Sequence, residues 1–117
     1  MSGRENIVLK KSIQFSLDII NYCEDLEKEK KYVIGKQLLK SGTSIGANLH
    51  EAQNAESKAD FIHKVKIAAK EIEETKYWIT LCKEAKSYPF KNELENQINE
   101  IGLIVYKISS SSKKKTT

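Results

Sequence analysis

Proline and glycine are scarce: one proline and five glycines stand in 117 residues. An all-β fold needs frequent turns, and turns lean on those two residue types, so the shortage argues against a sandwich or barrel. Nor is there a run of about 18 apolar residues, the length a helix needs to cross a membrane. The opening MSGRENIVLKK has no apolar core of a secretory signal, so the chain is expected in the cytoplasm with no membrane partner. Cysteine is limited to Cys23 and Cys82, both at positions that recur with the apolar residues around them, which predicts buried, reduced thiols in preference to a disulfide.

Histidine is limited to His50 and His63, thirteen residues apart on different predicted helices. His50-Glu51 opens like a zinc-binding helix, but the position four after His50 is Asn54. A di-iron bundle needs two carboxylate-x-x-His pairs, and Asp60-x-x-His63 has no second copy. GTSIGAN lacks the lysine and the spacing of a phosphate-binding loop. A nucleophilic cysteine needs an exposed, low-pKa setting, which an apolar stripe does not give. These shortages predict a chain that is not an enzyme, with no metal, no cofactor and no small-molecule substrate.

Charge is plentiful at 31% of residues, with 20 Lys or Arg against 16 Asp or Glu and a net of +4. Lys113, Lys114 and Lys115 of the tail SSSSKKKTT supply three of those charges. Without them the balance is seventeen to sixteen, a net of +1. A near-neutral body is not the footprint of a strong nucleic-acid binder, so such binding would need local patches or the tail.

What the chain does have is helical rhythm. In residues 57–86 the apolar side recurs as Phe61, Val65, Ala68, Ile72, Thr75, Ile79 and Cys82, in steps of four and three. That spacing predicts one long helix of about 45 Å with a continuous buried stripe. Thr75 is off-type, but its hydroxyl can turn back to its own helix backbone. Ser57 is a good N-cap, with Asp60 three positions on as in a capping box.

Three further helices follow the same logic. The first, from about Glu5 to Glu29, has one stripe of Val8, Phe15, Ile19, Tyr22 and Leu26, and a second of Leu9, Ile13, Ile20 and Cys23. Such a wide apolar face predicts contact with several other helices. Another, from about Tyr32 to Ala55, keeps Ile34, Leu38, Ser41, Ile45, Leu49 and Ala52 in register through SGTSIGAN. Gly42 and Gly46 would let a neighbour approach closely or would permit a kink, and the unbroken periodicity favours a continuous, bent helix. The last begins after Ser87-Tyr88-Pro89, with the proline in its first turn, and carries Leu94, Ile98, Ile101, Val105 and Ile108.

Short connections make consecutive helices antiparallel neighbours. The expectation is an all-α, up-down-up-down four-helix bundle over residues 1–110, followed by a disordered Ser/Lys tail at 111–117. Tyr77-Trp78 lies beside the buried stripe, where it could cover the bundle's own edge or enter a subunit interface, and Ile62 and Ala69 widen the apolar side. A bundle with more apolar helix face than four helices can hide is expected to form oligomers.

SGTSIGANLHEAQNAESKADFIHKVKIAAKEIEETKYW, with KQLLK and KSIQFSLDIINYCEDL before it, resembles the small bacterial bundle proteins named after intervening sequences in large-subunit ribosomal RNA genes. The resemblance covers roughly residues 4–108. Its most specific part is Ser41-Gly42-Thr43-Ser44-Ile45-Gly46-Ala47-Asn48, then Glu51-Ala52, then Ser57-x-x-Asp60-Phe61. Many members have Pro-Ala-Asn where this chain has Gly46-Ala47-Asn48, and Glu-Gly where it has Glu51-Ala52. The resemblance implies a four-helix bundle joined into a ring, a homopentamer, with no catalytic activity or cofactor. The family is in turn similar to the accessory proteins of diversity-generating retroelements, pentamers that bind nucleic acid and a reverse transcriptase.

The expected function is therefore a non-enzymatic oligomeric scaffold that binds RNA, DNA or a nucleoprotein through repeated basic patches. Candidate nucleic-acid contacts are Lys10, Lys11, Lys36, Lys40, Lys64, Lys66 and Lys70, with Lys113–Lys115 as an arm. Gly42, Gly46, Asn48, Glu51, Tyr77 and Trp78 are the candidates for subunit interface or helix packing. A protein-binding hub with no nucleic-acid role is the alternative.

Overall fold

The computed structural model describes residues 3–116, with side chains through Ser112, and contains four helices and no strand among them. They are α1 (Gly3–Lys28), α2 (Tyr32–Gln53), α3 (Lys58–Glu84) and α4 (Asn92–Thr116). Each packs on two neighbours, in the cycle α1–α2–α3–α4–α1, and the diagonal pairs stay apart. The particle measures 49 × 21 × 19 Å, about one long helix by two helix diameters.

Every α4 position named from the periodicity is buried, as are Val65, Ala68, Ile72, Thr75, Ile79 and Cys82 of α3. Phe61 and Ile34 are only partly covered. The Thr75 hydroxyl does turn back, lying 2.7 Å from the Glu71 carbonyl, and it also lies 2.9 Å from the Ser41 hydroxyl across the α2–α3 seam. Ser57 caps α3 by accepting from the Asp60 N–H at 3.1 Å. Asp60 returns the bond to the Glu56 N–H at 3.2 Å, one residue before the cap.

Helix α2 runs unbroken through Gly42 and Gly46. The glycines admit α1: Gly46 faces Ser12, Gly42 faces Ile19 and Gly35 faces Leu26. Between α1 and α4, Arg4 meets Ser111 at 3.2 Å, Lys11 meets Glu100 at 3.0 Å and Gln97 meets Asp18 at 2.9 Å.

Pro89 is not in the first turn of α4, which begins at Asn92. It sits in the 85–91 connection, where its carbonyl accepts from the Tyr22 hydroxyl and Phe90 packs edge-on against the Tyr22 ring. Burial pushes the Tyr22 hydroxyl's pKa far upward, so it stays a donor. At its far end α4 continues past position 110 as helix to Thr116, including the serines assigned above to the tail. Once a helix is nucleated each further residue adds a hydrogen bond, and Arg4 gives Ser111 a partner. The Lys113–Lys115 side chains and Thr117 lie outside the described part.

Candidate functional site

The seven candidate lysines are not brought together. Lys11 is paired with Glu100 at 3.0 Å and Lys64 with Glu51 at 2.9 Å, the second pair holding Lys64 in its charged form. Lys64 therefore faces α2, and Lys66, turned 200° from it, faces away with Lys70 one turn on. Lys40 is close enough to Glu71 to stabilise its carboxylate. Lys10 and Lys36 are exposed on α1 and α2. No single basic face results.

At the α2–α3 turn an open depression of about 560 Å³ is lined by His50, Glu51, Asn54, Glu56, Asp60 and Lys64. Asn48 does not join them; its amide donates back to the Ser44 carbonyl at 2.8 Å. His63 is exposed elsewhere on α3. Both cysteines are buried and unpaired by disulfide; burial raises each thiol pKa, that of Cys23 to about 12.

Of the remaining candidates, Gly42 and Gly46 serve packing of α1 on α2, and Glu51 ties α2 to α3 through Lys64. Trp78 is half-buried against the core, its indole N–H donating to Glu74 at 3.0 Å. Tyr77 is exposed, its ring edge-on to Trp78 at 5.2 Å.

What stands out is apolar surface. Ile13, Leu17 and Ile20 of α1 are 49%, 50% and 40% exposed. Their i, i+4, i+7 spacing puts them in one row. Steps of 100° lead from Asp18, which faces α4, through Ile19, which faces α2, to Ile20, outside on the α2 side. Tyr32 and Leu39 of α2 lie across the seam, around a small cleft that also holds Cys23 and Gly35 and is bordered by the charged Glu27, Lys31 and Lys36. The second stripe of α1 was expected to touch other helices of the bundle; Cys23 is buried and Leu9 packs against the core, while Ile13 and Ile20 face out.

A second apolar face lies between α3 and α4. Gly102 faces Ile72 and Lys76 of α3, and Leu103, 100° further round, is 65% exposed, with Tyr106 beside it at 70%. In the cycle of helices the α1/α2 and α3/α4 edges share no helix, so the two faces are on opposite sides. Leu17, Leu39, Leu103 and Tyr106 escaped the sequence reading. The 13/17/20 spacing was visible in the sequence, but not that the bundle would leave it uncovered.

Comparison with known proteins accords with this architecture. A crystal structure of a protein of unknown function from the S23 ribosomal protein family of Bacteroides thetaiotaomicron superposes with a TM-score of 0.85 at 41% identity. The match covers 92% of this chain and 98% of that one. No curated protein sequence matches. The family described as 23S rRNA-intervening sequence protein matches residues 4–107. With nearly the whole bundle inside that match, the chain belongs to the 23S rRNA-intervening sequence protein family.

Proposed function

We propose that this chain is a non-enzymatic assembly module of the cytoplasm, an antiparallel up-down-up-down bundle whose copies join into a ring, five in the arrangement the family resemblance implies. The helix order is supported by the pairings, which ascend one helix as they descend the next: Ser12 with Gly46, Ile19 with Gly42 and Leu26 with Gly35. The observation that carries assembly is the pair of opposed apolar faces. Large exposed apolar patches on a small soluble domain mark surfaces that another protein covers. A subunit with one such face on each side is suited to closed, repeated association.

Light scattering at two protein concentrations tests this. A mass that is a multiple of 13.3 kDa is the expected result. A stable 13.3 kDa particle at the higher concentration overturns it.

In a ring, symmetry repeats every lysine, and multivalency is what would turn scattered cations into a surface for RNA or DNA. A gel shift with structured RNA at about 50 mM salt, weakening as salt rises, checks that part of the proposal. Assembly without any shift would leave the ring as a hub for protein partners.

A further inference from the structure

We infer that the seam between α1 and α4, at the end of the bundle where α1 begins, meets the phosphate backbone of a nucleic acid. This deepens the nucleic-acid part of the function proposed above and rests on it. Helix α1 reaches α4 at every seventh residue: Arg4 to Ser111, Lys11 to Glu100, Asp18 to Gln97 and Asp25 to Lys91. Seven residues are about two turns, so the four stand in one line along the seam. Down α1 that line runs cation, cation, acid, acid, which gathers positive charge along the first half of the helix.

Lys107 joins the cationic half. It stands one turn before Ser111 and two turns after Glu100 on the same side of α4, which puts it beside Arg4 and Lys11. Lys10 adds a charge on the outer ridge of α1. Arg4 and Lys107, near opposite ends of the chain, join Lys10 and Lys11 only because α4 returns beside α1. The four cations occupy about 10 Å of helix. Among the described residues the acid facing them is Glu100, paired with Lys11 at 3.0 Å, and Glu5 is turned about 100° from Arg4 toward α2. Lys10 and Lys107 are exposed, and no ion pair among the described residues includes either.

Ile7 is the large apolar side chain exposed beside them, while Ile13, Leu17 and Ile20 lie round toward α2 and Leu103 and Tyr106 toward α3. A membrane surface calls for a broad apolar face next to the cations, and base stacking calls for aromatic rings; this patch has neither. Phosphates need only the charge. A duplex carries one about every 1.7 Å of its axis, so a patch of this length meets several.

The experiment compares two full-length double variants with the same change in net charge. Lys10→Glu/Lys107→Glu reverses the patch, and Lys28→Glu/Lys86→Glu reverses two lysines at the other end of the bundle. All four positions are exposed, and circular dichroism with light scattering checks that folding and assembly persist. Binding of a fluorescently labelled RNA hairpin is followed by anisotropy from about 50 to 200 mM salt. The patch variant should lose about tenfold or more in affinity at the lowest salt, and its slope of log affinity against log salt should fall by about 2. The control should lose less than about threefold. Equal losses in the two variants, or an unchanged patch variant, overturn this surface while nucleic-acid binding stands. A wild-type protein that ignores the hairpin removes both readings. Binding to phosphatidylserine vesicles without binding to RNA overturns the proposal in favour of a lipid surface.

Discussion

Ile19 of α1 occupies the space that a side chain at residue 42 of α2 would need. A Cβ on Gly42 would lie 3.1 Å from Ile19 Cγ2 and 3.2 Å from its Cγ1, and Ile19 is fully buried. Because isoleucine branches at Cβ, rotating χ1 still leaves a γ carbon against the new Cβ, so the buried Ile19 and its helix must give by a few tenths of an ångström. Gly42→Ala should therefore destabilise the fold by about 1–3 kcal/mol despite alanine's better helix propensity. Gly35 is the control: a Cβ there meets Leu26 at ordinary contact, 3.7 Å, and Gly35→Ala should stabilise by about 0.5–1 kcal/mol. Urea melts of the two variants read the opposite signs.

Ser41 and Thr75 form a buried polar pair between α2 and α3. Thr75 has one proton and two oxygens in range, so the hydroxyls depend on each other. Thr75→Val keeps the shape but leaves Ser41 with a 3.5 Å contact to the Leu38 carbonyl. We expect a loss of about 1–3 kcal/mol for the single change, with part of it regained in Thr75→Val/Ser41→Ala. A thermal-melt double-mutant cycle that came out additive would refute the coupling.

Lys30 closes α1 in the left-handed region, at φ 62°, where the Lys30 and Lys31 N–H groups bond back to Glu27 and Leu26. Glycine is the residue this helix end favours. Lys30→Gly should raise stability by about 0.5–1 kcal/mol, measured by chemical denaturation.

Burial holds both thiols in their protonated form, Cys23 with its pKa near 12. Since the thiolate is the reactive species, native protein at pH 8 should resist iodoacetamide and both cysteines should label on unfolding. Rapid native labelling, followed by mass spectrometry, would contradict their packing.

Glu71 has its pKa raised, first by burial and then by Glu74. A folded pKa above the unfolded value means that the ionised form opposes folding, and that the penalty fades as pH falls through the folded pKa. Glu71→Gln should raise Tm slightly at pH 7, and its advantage should shrink as pH falls through the raised folded pKa of the carboxyl. An advantage independent of pH would exclude the electrostatic cause.

Sequence alone determined the four helices, most of their buried stripes and the N-cap of α3, because a 3.6-residue repeat encodes which side of a helix avoids water. It also marked Thr75 for a bond to its own backbone and placed Ser57 as a cap, both set by residues within one turn. Local sequence could not count neighbours. Whether Ile13 and Ile20 lie under another helix depends on how many helices surround α1, and with two they face out. The same limit hid Leu103, which is apolar yet sits just past the residue that faces α3, and scattered lysines that lie close together in the chain. Tertiary structure alone decided that the two apolar faces oppose each other, since that depends on the cyclic order of four helices and not on the periodicity of any one.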